Sequence, residues 1–319
     1  MKAAVYDAAG APGVLKYGDV PSPMTGPDDV LVSVEAISIE GGDLINRRST
    51  PPPRPRWVVG YAASGTVIAV GSNVRSRKVG DRVAAFDMQG SHAERWAVPA
   101  GRTWLIPDGV DAADAAVLPI SFGTAHHCLF TRGALRPGET VLVQAAAGGV
   151  GLAAVQLAAQ AGATVIAVTS GTQRSDRLME LGADHVVDRA TSNVLDAVLQ
   201  ITGGVGADVV IDPVGTTLPA SLAALAPEGR LVFVGNAGGG SLTVDLWPPM
   251  QSNQTLLGVF MGPLFERPTV RSSVDDLLQA VATGRIRAVI ERTFPLAEAA
   301  AAHQFAETAK PLGRTVMKP

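Results

Sequence analysis

The sequence contains one cysteine, Cys128, so no internal disulfide can form. It has no run of Lys or Arg, and its 26 basic against 29 acidic residues give a formal net charge of -3. A phosphate backbone would find no broad electropositive footprint, so nucleic acid is not an expected partner. The opening Met1 to Gly10 lacks the basic start and apolar centre of a secretion signal, which together with the lone thiol leads us to expect a reducing, cytoplasmic setting. From Thr140 to Gln173 there is no Asp, Glu, Lys or Arg. Such a gap invites a membrane span, but Gln144, Gln156 and Gln160 interrupt it and Gly148, Gly149, Gly151 and Gly162 break its helical continuity. A strand, helix and strand buried on several sides explains the missing charge better, and no membrane partner is expected. Internal repeats are absent, and low complexity is confined to prolines and alanines.

What is present suffices for two cores, with 319 residues of which 47% are hydrophobic. Ala3 to Tyr6, Val30 to Ile39, Gly65 to Val70 and Asp81 to Phe86 are β-favouring runs, punctuated by Pro21, Pro23, Gly26, Pro27, Gly71 and Gly80 as in a compact barrel-like domain. Pro51, Pro52, Pro53 and Pro55 predict an extended connector. From about Ser121 the pattern changes. Apolar strands at Thr140 to Gln144, Thr164 to Thr169, Val186 to Val187, Val209 to Asp212 and Arg230 to Val234 alternate with helices starting near Val150, Arg174, Asn193 and Leu218. This is the rhythm of a doubly wound parallel α/β sheet. Beyond about Phe260 helices at Ser273 to Thr283 and Leu296 to Ala306 and a strand at Arg314 to Met317 are predicted, and this tail is expected to rejoin the first domain. Residues 1–120 with 260–319 thus form one domain and 121–259 the other.

The strand ending at Gln144 runs into Ala145-Ala146-Ala147-Gly148-Gly149-Val150-Gly151 and then a helix. Ala146, Gly148 and Gly151 occupy the special places of a dinucleotide fingerprint, where a small residue lets backbone approach a diphosphate and the last glycine lets helix pack on strand. With no acid in Leu152 to Ala161, the helix start remains open to an anion. A plain connecting turn is the alternative. The second strand ends in Thr169-Ser170-Gly171, where an NAD site would place a carboxylate on the ribose; instead Ser170, Arg174 and Arg177 lie near, as a 2'-phosphate would require. NADPH is the coenzyme this predicts, with Arg189 a candidate for the adenine end. The competing view makes these arginines solvated surface charges.

These residues resemble the zinc-free quinone oxidoreductase, or ζ-crystallin-like, branch of the medium-chain dehydrogenases and reductases. The family's pattern is present as Gly138-Glu139, Ala146-Ala147, Gly148-Gly149-Val150-Gly151 and Gln156, although Ala159 replaces the usual basic residue or serine. Asp29-Val30-Leu31-Val32, Val79-Gly80-Asp81-Arg82-Val83 and Leu118-Pro119 with Thr124-Ala125 agree with it along nearly the whole chain. The resemblance implies a GroES-like β-rich catalytic domain beside a Rossmann domain, and a homodimer formed through an edge strand near Leu256 to Met261. It also implies that Thr124, Gly235 and Asn236 lie near the nicotinamide end.

Zinc relatives carry Gly-His-Glu where this chain reads Gly60-Tyr61-Ala62, and four cysteines where it has one in total, so no metal is expected. Cys128 beside His126 and His127 is read as a small apolar residue of a partly buried helix. Without a Lewis acid, alcohol oxidation is disfavoured. The remaining chemistry is hydride transfer to a quinone or an α,β-unsaturated carbonyl. Enoyl or 2-alkenal reduction and non-catalytic NADPH binding are the alternatives. Glu40 stands where the family's Val-Asn-Pro-x-Asp has Asn, and is either a proton donor or a structural carboxylate. Tyr61 is a candidate donor to the acceptor oxygen. Asp43 and Arg47, four apart, predict a local ion pair.

Overall fold

The computed structural model describes residues 1–309 and 311–319, the side chain of residue 172 excepted. The chain forms two compact units, Met1–Gly123 with Gly262–Pro319 and Thr124–Met261.

The first unit opens with strands β1 (Lys2–Tyr6), β2 (Lys16–Asp19) and β3 (Asp29–Ser38), then helix α1 (Gly41–Ser49), then β4 (Trp57–Val58), β5 (Ala62–Val70), β6 (Arg82–Phe86), β7 (Arg95–Pro99) and β8 (Thr103–Leu105). Helices α2 (Ala112–Val117) and α3 (Gly123–His126) lead on, with π-helical turns at Leu118–Phe122 and His127–Arg132. β3 pairs antiparallel with β5 and β7, and alternate residues Val30, Val32 and Val34 point into the core.

The second unit is a six-stranded parallel sheet of β9 (Thr140–Val143), β10 (Thr164–Thr169), β11 (His185–Asp188), β12 (Ala207–Asp212), β13 (Leu225–Phe233) and β14 (Thr255–Gly258), in the order β11-β10-β9-β12-β13-β14. The longest of its helices is α4 (Gly149–Gln160), followed by α5 (Ser175–Glu180), α6 (Val194–Ile201), α7 (Leu218–Ala223) and α8 (Trp247–Gln251). The charge-free stretch is explained by burial: Val141, Leu142, Val143, Val165, Ile166, Ala167 and Val168 are all wholly inaccessible. No helix of the described residues is long and apolar enough to cross a membrane.

The tail adds α9 (Pro268–Ala282), β15 (Ile290–Pro295), α10 (Ala299–Thr308) and β16 (Arg314–Lys318) to the first unit. β16 pairs antiparallel with β3, and Phe294, Leu296, Ala299, Ala302 and Met317 join the first unit's core. The tail helix predicted from Ser273 starts five residues earlier, because Pro268 suits a first helical position that needs no N–H. β13 likewise begins at Leu225, ahead of the expected Arg230, with a register irregularity between Ala207 and Val209 of its partner.

The Asp43–Arg47 ion pair does not form. Asp43 is the third residue of α1, and its Oδ2 turns back to accept the Glu40 N–H at 2.7 Å. Arg47, fully buried, pairs instead with Glu307 on α10 and donates to the Gly10 carbonyl at 2.6 Å. Helical spacing brought the two residues to one face, but a capping bond and a tail carboxylate claimed them separately.

Candidate active site

In the second unit the turn between β9 and α4 is pinned from both sides. Gln144 N–H donates to Ile211 O at 3.0 Å on β12, and Ala146 N–H to Val168 O at 2.8 Å on β10. Ala145 takes a left-handed conformation with φ 48°, and Gly148 N–H closes the turn on Ala145 O at 2.9 Å. The first bond of the helix runs from Leu152 N–H to Gly148 O at 2.8 Å, so α4 itself offers no acceptor to the N–H groups of Gly149, Val150 and Gly151.

The two fingerprint glycines answer different demands. A Cβ on Gly151 would lie 2.4 Å from Ala145 O, so packing of the chain on itself requires that glycine. A Cβ on Gly148 would meet nothing nearer than Ala145 O at 3.4 Å, an ordinary contact, and its φ of -80° suits any residue. The protein has no internal need for glycine there. The space beside the helix start is open, as a diphosphate lying there would require.

At the end of β10, Arg174 Nη1 donates to Ser170 O at 2.8 Å, which folds the arginine over the turn that replaces the carboxylate of an NAD site. Asp188, the register partner of Thr169, accepts the N–H groups of Gly171 and Ala190, each at 2.9 Å. Arg189 is exposed, with its N–H bonded to Thr169 O at 3.0 Å, whereas Arg177 pairs with Glu180 at 3.1 Å on the surface. Gly235 and Asn236 follow β13. Asn236 Nδ2 donates to Gly240 O at 2.9 Å, while its Oδ1 is buried without a partner. These groups all follow the carboxyl ends of parallel strands, where such sheets bind ligands. Thr124 opens the second unit in α3 and is buried. Burial pushes the Cys128 thiol up to about 12, in keeping with a packed apolar residue.

Sequence reasoning missed Asp212. Wholly buried, it accepts from Val214 N–H at 2.8 Å, Gly215 N–H at 3.0 Å and the Thr217 and Ser221 hydroxyls, and so fixes the loop after β12. Ser221, on α7, also accepts from Gln144 at 3.2 Å, which ties that helix to the start of the glycine turn. An Asp ending an apolar strand, followed by Pro213-Val214-Gly215, was the available signal.

In the first unit Glu40 is buried, with Oε1 accepting from Ser38 Oγ at 2.6 Å and Oε2 paired with Arg314 at 2.6 Å. Both oxygens are therefore engaged by the chain. Burial drives the neighbouring Asp43 carboxyl well above the usual carboxylate range, although the Glu40 and Tyr61 backbone amides oppose this. Tyr61 is half-buried, and its hydroxyl accepts from Asn46 Nδ2 at 2.7 Å. Burial, and then Asp43, raise its phenol to about 12, so it carries its proton at neutral pH. Residues 54–57 of the proline-rich connector line a cavity of about 460 Å³ with Arg95 and Trp96, and Pro248, Pro249 and Ser252 border one of about 280 Å³ in the second unit.

Family models match in both units: "Alcohol dehydrogenase GroES-like domain" over residues 26–108 and "Zinc-binding dehydrogenase" over residues 149–282. A quinone oxidoreductase of Pseudomonas aeruginosa is 35% identical, with 98% of each chain covered. The chain belongs to the zinc-free quinone oxidoreductase branch of the medium-chain dehydrogenases and reductases. The chain is also 32% identical to a 2-haloacrylate reductase from a Burkholderia species, covering 100% of this chain and 99% of the other. Its structure superposes on that of a mycobacterial protein complexed with NADPH, with a TM-score of 0.94, 34% identity and full coverage of both chains.

Proposed function

We propose that this protein is an NADPH-dependent, zinc-independent reductase that passes a hydride to quinones or related electron-poor acceptors. The first unit serves as catalytic domain and the second as coenzyme-binding domain. The observation that carries the reading is Gly148, whose missing side chain serves no contact of the protein's own and leaves room beside three N–H groups at a helix start. Ala146, Gly148, Gly149, Val150 and Gly151 would hold the diphosphate, Ser170 and Arg174 the 2'-phosphate, and Arg189 the adenine end. Thr124, Gly235 and Asn236 are assigned to the nicotinamide end, where Asn236 Oδ1 is an acceptor still lacking a donor.

When bound, NADPH supplies the hydride, and the protein's own part is binding, orientation and a hydrogen bond to the acceptor oxygen. Tyr61 is assigned that hydrogen bond. Glu40, held at both oxygens by Ser38 and Arg314, is assigned a structural role. A homodimer is proposed on the strength of the open outer edge of β14, which pairs with β13 on its other side, and of the exposed Trp247, Met250 and Phe260 near it; a cytoplasmic setting is proposed from the lone cysteine.

Reduction of an activated C=C is a second reading, favoured by the likeness to the 2-haloacrylate reductase. NADPH consumption with 1,4-benzoquinone, 9,10-phenanthrenequinone and a panel of enones separates the two. Quinone turnover with NADPH well above that with NADH is expected. Equal efficiency with both coenzymes would remove the argument from Ser170 and Arg174, and binding without turnover of any acceptor would leave only a coenzyme-binding protein.

A further inference from the structure

The face of α1 that carries Gly42 and Asn46 forms a seat for one side chain. Residues four apart lie one above the other on a helix, and the Tyr61 ring lies along this pair. A Cβ on Gly42 would come within 2.2 Å of Tyr61 Cε2, so the ring rests where a side chain would otherwise be. Phe86 packs edge-on at a centroid distance of 6.3 Å and an interplanar angle of 84°. Asn46 Nδ2 reaches the phenol oxygen at 2.7 Å. Asp43, buried on the same helix, accepts the Glu40 N–H at 2.7 Å through Oδ2, and its Oδ1 has no hydrogen-bond partner.

The direction of the Asn46 bond decides what the phenol can do. A phenol has one hydrogen to donate and lone pairs to accept with. Because Asn46 donates, the Tyr61 hydrogen is not used within the helix and remains for another acceptor. The opposite direction would occupy that hydrogen on the amide oxygen.

We infer that Asn46 is a positioning residue for hydride transfer: by donating to the Tyr61 oxygen it fixes the ring and leaves the phenolic hydrogen to the acceptor's carbonyl. The inference rests on the role proposed for Tyr61. It also accounts for the departure at residue 40. With Glu40 withdrawn onto Arg314, the polar contact to the acceptor passes to a tyrosine seated by Gly42 and Asn46 on the same helix.

The test reverses the hydrogen bond without deleting it. Asn46→Asp places an acceptor at the phenol, so the Tyr61 hydrogen is drawn onto the new carboxylate. Single-turnover NADPH oxidation by the full-length enzyme with a saturating enone is expected to slow about 100-fold in Tyr61→Phe and by a similar factor in Asn46→Asp, with NADPH affinity unchanged in both. The double variant is expected to be no slower than Tyr61→Phe alone, which a merely structural asparagine would not produce. Asn46→Ala, as a second variant, is expected to slow the step in the parent and have no effect in the Tyr61→Phe background. A parent-like rate in Asn46→Asp with Tyr61→Phe slow would overturn the role of Asn46 alone. A parent-like rate in Tyr61→Phe would overturn the role of Tyr61 together with it, whereas losses that multiply in the double variant would overturn only the claim that Asn46 acts through Tyr61.

Discussion

The turn at residues 145–151 and the segment at residues 38–47 both open a helix, yet they treat their polar groups in opposite ways. The turn carries no acidic side chain, leaves the first N–H groups of α4 without a helical acceptor, and omits a Cβ that nothing in the chain would obstruct. In the segment, Ser38 and Arg314 hold Glu40, Asp43 turns back onto an amide, and Arg47 is sealed under α10 by Glu307. The turn leaves backbone donors beside open space, whereas the cluster ties its charges to one another and to the backbone, with only Asp43 Oδ1, Arg47 Nε and Arg314 Nε left buried without partners. Tyr61, with a proton still to give, is the reserve group beside the cluster.

The comparison breaks most visibly in acid. His92 and His303 are fully buried in the first unit with their Nε2 atoms 3.0 Å apart. Burial holds His92 down at about 3 and His303 well below its ordinary value. Both folded values lie below the unfolded ones, so this contribution is complete above about pH 6.5 and is lost as pH falls towards 3. Melting curves should show a loss on the order of several kcal/mol by pH 4, and His303→Gln should flatten the dependence; a flat parent curve would contradict the buried pair. Next in size, Glu307→Gln leaves the Arg47 charge buried and should cost about 3 kcal/mol in denaturant unfolding. An unchanged midpoint would show that the segment's charges are not structural. Gly151→Ala forces a Cβ to 2.4 Å from Ala145 O and should cost about 2 kcal/mol. Smaller still, Arg174→Ala should lower the NADPH-to-NADH ratio of kcat/KM about tenfold, or about 1.4 kcal/mol, with stability unmoved. A ratio that does not change would place the arginine outside the coenzyme site.

Legibility in the sequence divides along the same line. The parallel sheet was readable because its central strands β9 and β10 carry no charge and the glycine turn falls between strand and helix, and β10 runs over the predicted Thr164–Thr169. α1 was less readable, since Gly41 and Gly42 are poor helix formers and the helix start is closed by Asp43 accepting the Glu40 N–H. The partners of Arg47 and Glu40 lie 260 and 274 positions away, at Glu307 and Arg314, beyond any local pattern. β15 went unpredicted because Glu291 and Arg292 interrupt its apolar alternation while it pairs in parallel with β16. The seat for Tyr61 left a trace only as Gly42 and Asn46 four residues apart.

The most direct test of the coenzyme site is calorimetric titration of NADPH into the parent and into Gly148→Ala, with both melting temperatures measured. The account predicts equal melting temperatures and at least about a tenfold loss of affinity in the variant. Full affinity in Gly148→Ala, or no heat in the parent, would contradict it.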